Sequence, residues 1–213
     1  MSKSKSSNRY SMSFTAASFR LGDFIKFAEY YSDTPGDATD SRDKADEILG
    51  QGIQKSNRRI ITELTKRYNS LTPAQRRVMV EGNFDQKREI CYLAIAKSYQ
   101  FIREFIVEIV REKRILFDLQ LSDTDFAIFL NRKNPLHPEL EQFTDNTIYK
   151  VKQTLFKILA DASIIDSTES KKIKSQWPSN DTIRVIVEDN PEWLKIFLLN
   201  DLEITEKRKS YDL

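Results

Sequence analysis

The residues in this 213-residue chain best suited to chemistry are paired cations. Arg58/Arg59, Arg76/Arg77 and Lys87/Arg88 fall on three successive segments of helical pattern. Lys150, Lys152 and Lys157 fall on a fourth, beside Tyr149 and Gln153. Lys and Arg neutralise backbone phosphates without reading sequence, whereas Gln and Tyr carry donors and acceptors for base edges. Each pair alone is also what a solvated helix face looks like. Together they point to a nucleic-acid surface.

Other chemistries find little support. His137 is the sole histidine and precedes Pro138, which suits a capping or surface role. Cys91 is the sole cysteine, which excludes an intrachain disulfide and a cysteine-rich zinc site and suits a reducing cytoplasm. It lies on an apolar stripe, where an inert buried thiol is the ordinary expectation. No GxxxxGK[ST] or GxGxxG motif occurs among five glycines. Glu104, Glu108 and Glu112 read as a helix face balanced by Arg103 and Arg111 rather than as an acidic metal site. The expectation is a non-enzyme with no cofactor and no metal.

The elements that must position the cations are helices. Between Asp85 and Arg114 there is no Gly or Pro, and Cys91, Ile95, Tyr99, Ile102, Ile106 and Ile109 recur at helical spacing. A straight helix of that length would run about 45 Å, so a break is expected near Lys97 to Gln100. Asp85 is its expected cap. Lys97, Arg103, Glu104 and Glu108 interrupt the apolar residues, so it is not a membrane span.

Before it, Thr15 caps an expected helix carrying Ala17, Leu21, Phe24, Ala28 and Tyr31. A short helix follows from about Arg42 to Leu49, and another is capped by Ser56 or Asn57, with Arg58, Arg59, Lys66 and Arg67 mostly outside. Thr72-Pro73 opens the helix that carries Arg76 and Arg77. Beyond the central helix, Phe117 to Leu121 reads as a short strand or an extended connector. Ser122 with Asp125 has capping-box spacing, and Asn134-Pro135 ends the helix it opens. Thr144 or Asp145 opens a long helix to about Ala162, so helix, connection and helix resemble a helix-turn-helix. SKKIKSQW then reads either as the hairpin of a winged helix or as a basic loop, and two terminal helices follow.

The fold class expected is therefore all-α: a compact multi-helix bundle, helix-turn-helix-like in its C-terminal half, with or without a short β-hairpin wing. Residues 1–12 read as a flexible basic arm, 13–205 as one helical domain divisible at 114/115, and 206–213 as a polar tail. The net charge is only +2, but residues 1–54, 55–114 and 115–213 balance at −1, +7 and −4, so the middle of the chain is basic.

Several stretches are similar to the BrxA family, small proteins of the bacterial BREX phage-defence systems. They are YSMSFT (Tyr10 to Thr15), YQFIREFIVEIVREK (Tyr99 to Lys113), FLNRK (Phe129 to Lys133), HPELEQF (His137 to Phe143) and TLFKILADASII (Thr154 to Ile165). The resemblance implies a helical, NusB-like, non-enzymatic member of a system that separates self from phage DNA by methylation. It implies double-stranded DNA and other BREX proteins as partners, with RNA as the alternative ligand and a protein adaptor as a further reading. It brings no catalytic motif, and the helix pattern argues against the membrane location given to some relatives.

Overall fold

The computed structural model describes residues 9–32, 38, 42–50, 54–174 and 177–211. The basic residues at the start of the N-terminal arm, Lys3 and Lys5, lie outside them, as does part of SKKIKSQW. The described residues form eleven α-helices and no strand. In order they are α1 (Leu21–Ser32), α2 (Ala45–Leu49), α3 (Gln54–Asn69), α4 (Pro73–Glu81), α5 (Phe84–Ser98), α6 (Gln100–Phe105), α7 (Glu112–Ile115), α8 (Asp123–Lys133), α9 (Asp145–Asp161), α10 (Asn180–Val187) and α11 (Asp201–Ser210).

The caps follow side-chain chemistry. Thr72 caps α4 ahead of Pro73 as expected and closes a capping box with Gln75, and Ser122 with Asp125 closes on α8 the box that their spacing predicts. Thr144 caps α9. Asn83 with Gln86, and not Asp85, caps α5. An amide two residues earlier satisfies the amide N–H of Gln86, which leaves Asp85 inside the first turn, where its charge still favours the helix dipole.

The central segment breaks at Tyr99, whose φ of −128° and ψ of 99° are extended. From Ile106 to Arg111 it widens into a π-helix before α7 resumes. Every residue from Ile90 to Ala96 is buried, because α5 is enclosed by α1, α3, α4 and α10. A helix apolar all round belongs in the middle of a core. The break turns the Tyr99 ring out of α5 toward α3, where its hydroxyl donates to Glu63 at 2.5 Å and Lys66 Nζ lies 4.3 Å from the ring centre.

Both ends of the described part of the chain pack on the core. Tyr10, within the segment expected to be a flexible arm, is buried, and the turn Ser13–Ala16 is a 3₁₀ helix rather than the start of α1. At the other end Asn200 and Glu203 cap α11, which continues through the expected polar tail to Ser210. Arg111 donates to Leu199 O at 2.7 Å and to Asp201 at 2.7 Å, holding α11 against the π-helix.

Of the two readings of SKKIKSQW, the described residues favour the loop: 164–174 carries no strand and one isolated bridge, Ile165 to Ile173, and Gln120 to Lys172 bridges it to the connector before α8. Between α8 and α9 lie two 3₁₀ segments, Asn134–Leu136 and Pro138–Gln142, a longer connection than the three or four residues of a tight helix-turn-helix.

Candidate nucleic-acid interface

Lys150 stands where two shallow clefts meet. One is lined by Thr15, Ala16, Lys55, Ser56, Arg59 and Lys150. The other runs along α9 past Tyr149, Lys152, Gln153 and Lys157 to Thr168 and Lys171. The 3₁₀ turn Ser13–Ala16 packs on both α3 and α9, and this brings the first turns of α3 to the outer face of α9. The apolar spacing of α9 buries Val151, Leu155, Ile158 and Leu159, which leaves Tyr149, Lys150, Gln153 and Lys157 exposed on the opposite face.

The cations differ in how far they are committed. Among the described residues no carboxylate forms an ion pair with Lys55, Arg59 or Lys150. Lys152 donates to Asp123 at 2.5 Å and Lys171 reaches the other oxygen of that carboxylate at 3.1 Å. Lys152 first, and Lys171 after it, hold the Asp123 carboxyl below its ordinary value. Gln153 donates to the Tyr149 hydroxyl at 2.9 Å, and the Tyr149 ring stays 56% exposed. Cations along one wall with an open aromatic ring can take a phosphate backbone and a stacked base or sugar.

The remaining expected residues stand elsewhere. Arg58 is exposed on α3 and Arg77 on α4. Arg76 donates to Tyr68 O at 3.1 Å and lies over the Tyr68 ring. Lys87 faces Glu29 at 3.8 Å and Arg88 pairs with Asp85 at 2.8 Å. The structure thus gathers Arg59 with the α9 group and leaves the α4 and α5 pairs outside the cleft. Lys55, Thr168 and Lys171 join it without having been singled out. The only signal for Lys171 is the basic run SKKIK, and its link to the connector, Leu121 N–H to Lys171 O at 3.2 Å, joins residues far apart in the chain.

Two side chains expected at the surface, Arg67 and His137, are buried, and the Glu104–Glu108 face is held by Lys133. Arg67 is fully buried and donates to Ser18 O and Phe19 O at 2.6 and 3.2 Å. Glu104 and Glu108 share Lys133 Nζ at 2.6 Å each. His137 is buried against Tyr10 rather than capping a surface helix. Cys91 is buried too, and burial above all pushes its thiol up to about 12, so it is no thiolate at neutral pH. Among the described residues no group of three metal-ligating side chains converges, and no helix is long and apolar enough to cross a membrane.

Comparison with known proteins places this architecture. The crystal structure of a protein from Magnetospirillum magneticum matches with a TM-score of 0.77 at 17% identity, covering 89% of this chain and 98% of that one, so the two share a fold. The BREX protein BrxA of Escherichia coli O9:H4 (strain HS) is 23% identical over 146 residues, 66% of this chain and 68% of the relative. The BREX protein BrxA of Bacillus cereus (strain H3081.97) is 23% identical over 128 residues, 60% of this chain and 64% of the relative. The BrxA family profile matches residues 8–190, a span that contains α1 to α10 and every residue of the cleft, and on that match the chain belongs to the BrxA family.

Proposed function

We propose that this protein is a non-enzymatic, cytoplasmic component of a BREX phage-defence system that binds double-stranded DNA along the α9 cleft. Its relatives carry the name of BREX proteins, which makes other proteins of that system its expected partners. The observation that carries the DNA reading is the continuity of the cleft: Lys150 joins Lys55 and Arg59 on one side to Lys157 and Lys171 on the other. Residues from three separate stretches converge on one basic strip, which a helix face solvated at random does not require.

The strip would hold phosphates, with Tyr149 and Gln153 nearest to a groove. Binding would be strongly salt-dependent, because each phosphate neutralised releases condensed counterions. The test is binding of labelled duplex DNA and single-stranded RNA of equal length across a salt series. The expected result is duplex affinity that falls steeply with salt. Combined Lys150→Glu and Lys157→Glu should weaken it more than about tenfold and flatten the salt slope by about two. Undiminished duplex binding by that variant would remove the cleft from the DNA path, and RNA outcompeting duplex would reassign the ligand.

A further inference from the structure

The C-terminus of α7 closes in a Schellman turn: Asp118 N–H donates to Lys113 O at 2.9 Å and Phe117 N–H to Arg114 O at 3.1 Å. This turn needs a left-handed residue, and Phe117 supplies it at φ 58°. Glycine is the usual occupant, because a Cβ in that conformation is penalised. Here the residue is a phenylalanine whose side chain is 88% exposed, next to Leu116 at 73%. A large apolar group is held in an unfavourable backbone conformation and buries almost nothing within its own chain. Only a surface outside the chain could offset that.

The surroundings indicate which surface. Phe117 stands three residues before Gln120, at most about 11 Å of chain. The connector is fastened to the basic loop by Leu121 N–H to Lys171 O at 3.2 Å and Ile173 N–H to Leu119 O at 2.8 Å. Lys171 lines the α9 cleft, and Lys172 beside it is exposed, with no ion pair among the described residues. The nearby acids are engaged: Asp118 with Lys113 at 2.5 Å, Glu112 with Arg111 at 3.8 Å, and Asp166 with the Lys172 N–H at 2.9 Å and the Ser170 hydroxyl at 2.7 Å. Two apolar side chains on a protruding turn are small against the roughly 800 Å² per partner of a stable protein interface. They match what enters a base step, where Phe or Leu wedges unstack neighbouring pairs and kink the duplex.

We propose that Leu116 and Phe117 form an apolar wedge that enters a base step of duplex DNA at the end of the α9 cleft, with Lys172 on the adjoining phosphates. This rests on the DNA-binding reading above. The test compares the full chain with Phe117→Gly on duplexes carrying 2-aminopurine at successive positions. Wild type should raise the fluorescence of one base as it unstacks. Phe117→Gly should abolish that rise and weaken binding about tenfold, the scale of one lost stacking contact. It should also melt about 2–4 °C higher, since glycine relieves the left-handed strain. A side chain with a merely structural role would lower stability on removal.

Equal affinity and equal fluorescence in the variant would overturn the wedge and leave the cleft reading standing. A wild-type protein that binds no duplex would overturn both. A variant that binds DNA normally but loses a BREX protein partner would overturn the wedge and assign the turn to a protein contact.

Discussion

The His137 ring lies flat on the Tyr10 ring, with centroids 3.6 Å apart and planes 15° from parallel. Glu139 fastens the pair, accepting from the Tyr10 N–H at 2.6 Å and meeting His137 Nδ1 at 3.1 Å. The N-terminal segment is thereby fixed to the connection between α8 and α9, some 130 positions away in the chain. Tyr10→Ala should lose about 3 kcal/mol in urea unfolding, the scale of an emptied aromatic site. Tyr10→Phe keeps the stack and loses only the hydroxyl bond to Glu104, so its loss should stay near 1 kcal/mol. Equal losses would mean that the stack contributes nothing.

Glu104 accepts from that hydroxyl, from Lys133 at 2.6 Å and from Gln100 at 2.6 Å. Burial pushes its pKa up, but the bonds from Lys133, Tyr10 and Gln100 outweigh burial and hold it below the ordinary value. The unfolded chain, with a Glu pKa of about 4.3, therefore binds more protons in the window below it. The contribution to stability is complete above about pH 4.3 and disappears as pH falls through the lower folded pKa. Glu104→Gln should be less stable at neutral pH and lose less on acidification through that window. Parallel stability curves for the two proteins would count against the network.

Much of this fold was legible because its signals are local. Thr72, Ser122 and Thr144 cap helices as their spacing predicts, and the break at Tyr99 falls where the helix had become too long for a domain. The burial of Arg67 and His137 and the engagement of half-buried Glu104 were not legible, since each depends on a partner far along the chain: Ser18, Tyr10 or Lys133. The stripe read on α5 was too narrow for the same reason, because enclosure by four helices buries every residue from Ile90 to Ala96. For the cleft, the exposed face of α9 followed from its periodicity. Its neighbours Lys55 and Lys171 depend on how the 3₁₀ turn and the basic loop pack.

Arg67 marks the least forgiving polar site. Its two donated bonds end on the carbonyls of Ser18 and Phe19, within a bend where Ser18 and Arg20 have φ of 37° and 45°. Arg67→Ala would leave two carbonyls without their donor and open a cavity, so a loss of about 3–5 kcal/mol is expected. Arg67→Lys cannot span both carbonyls with a planar fork and should still lose about 2 kcal/mol. A loss below about 1 kcal/mol for alanine, measured by denaturant titration, would show that water replaces the guanidinium.

On the DNA-binding reading proposed above, Asp123 holds two of the cleft's cations in place of a phosphate, with Lys152 at 2.5 Å and Lys171 at 3.1 Å from its carboxylate oxygens. A bound duplex would compete with this carboxylate for both ammonium groups while being repelled by its charge. Asp123→Asn removes the competitor and the repulsion together, so duplex affinity should rise about fivefold, with a salt slope steeper by about one. Stability should move the other way by less than about 1 kcal/mol, because Asp123 also opens α8, where a negative charge favours the helix dipole, and because both ion pairs are partly exposed. Tighter binding from a slightly less stable protein is hard to obtain from a general effect on folding. An affinity that stayed level or fell would place Lys152 and Lys171 off the phosphate path and leave the interface to Lys55, Arg59, Lys150 and Lys157.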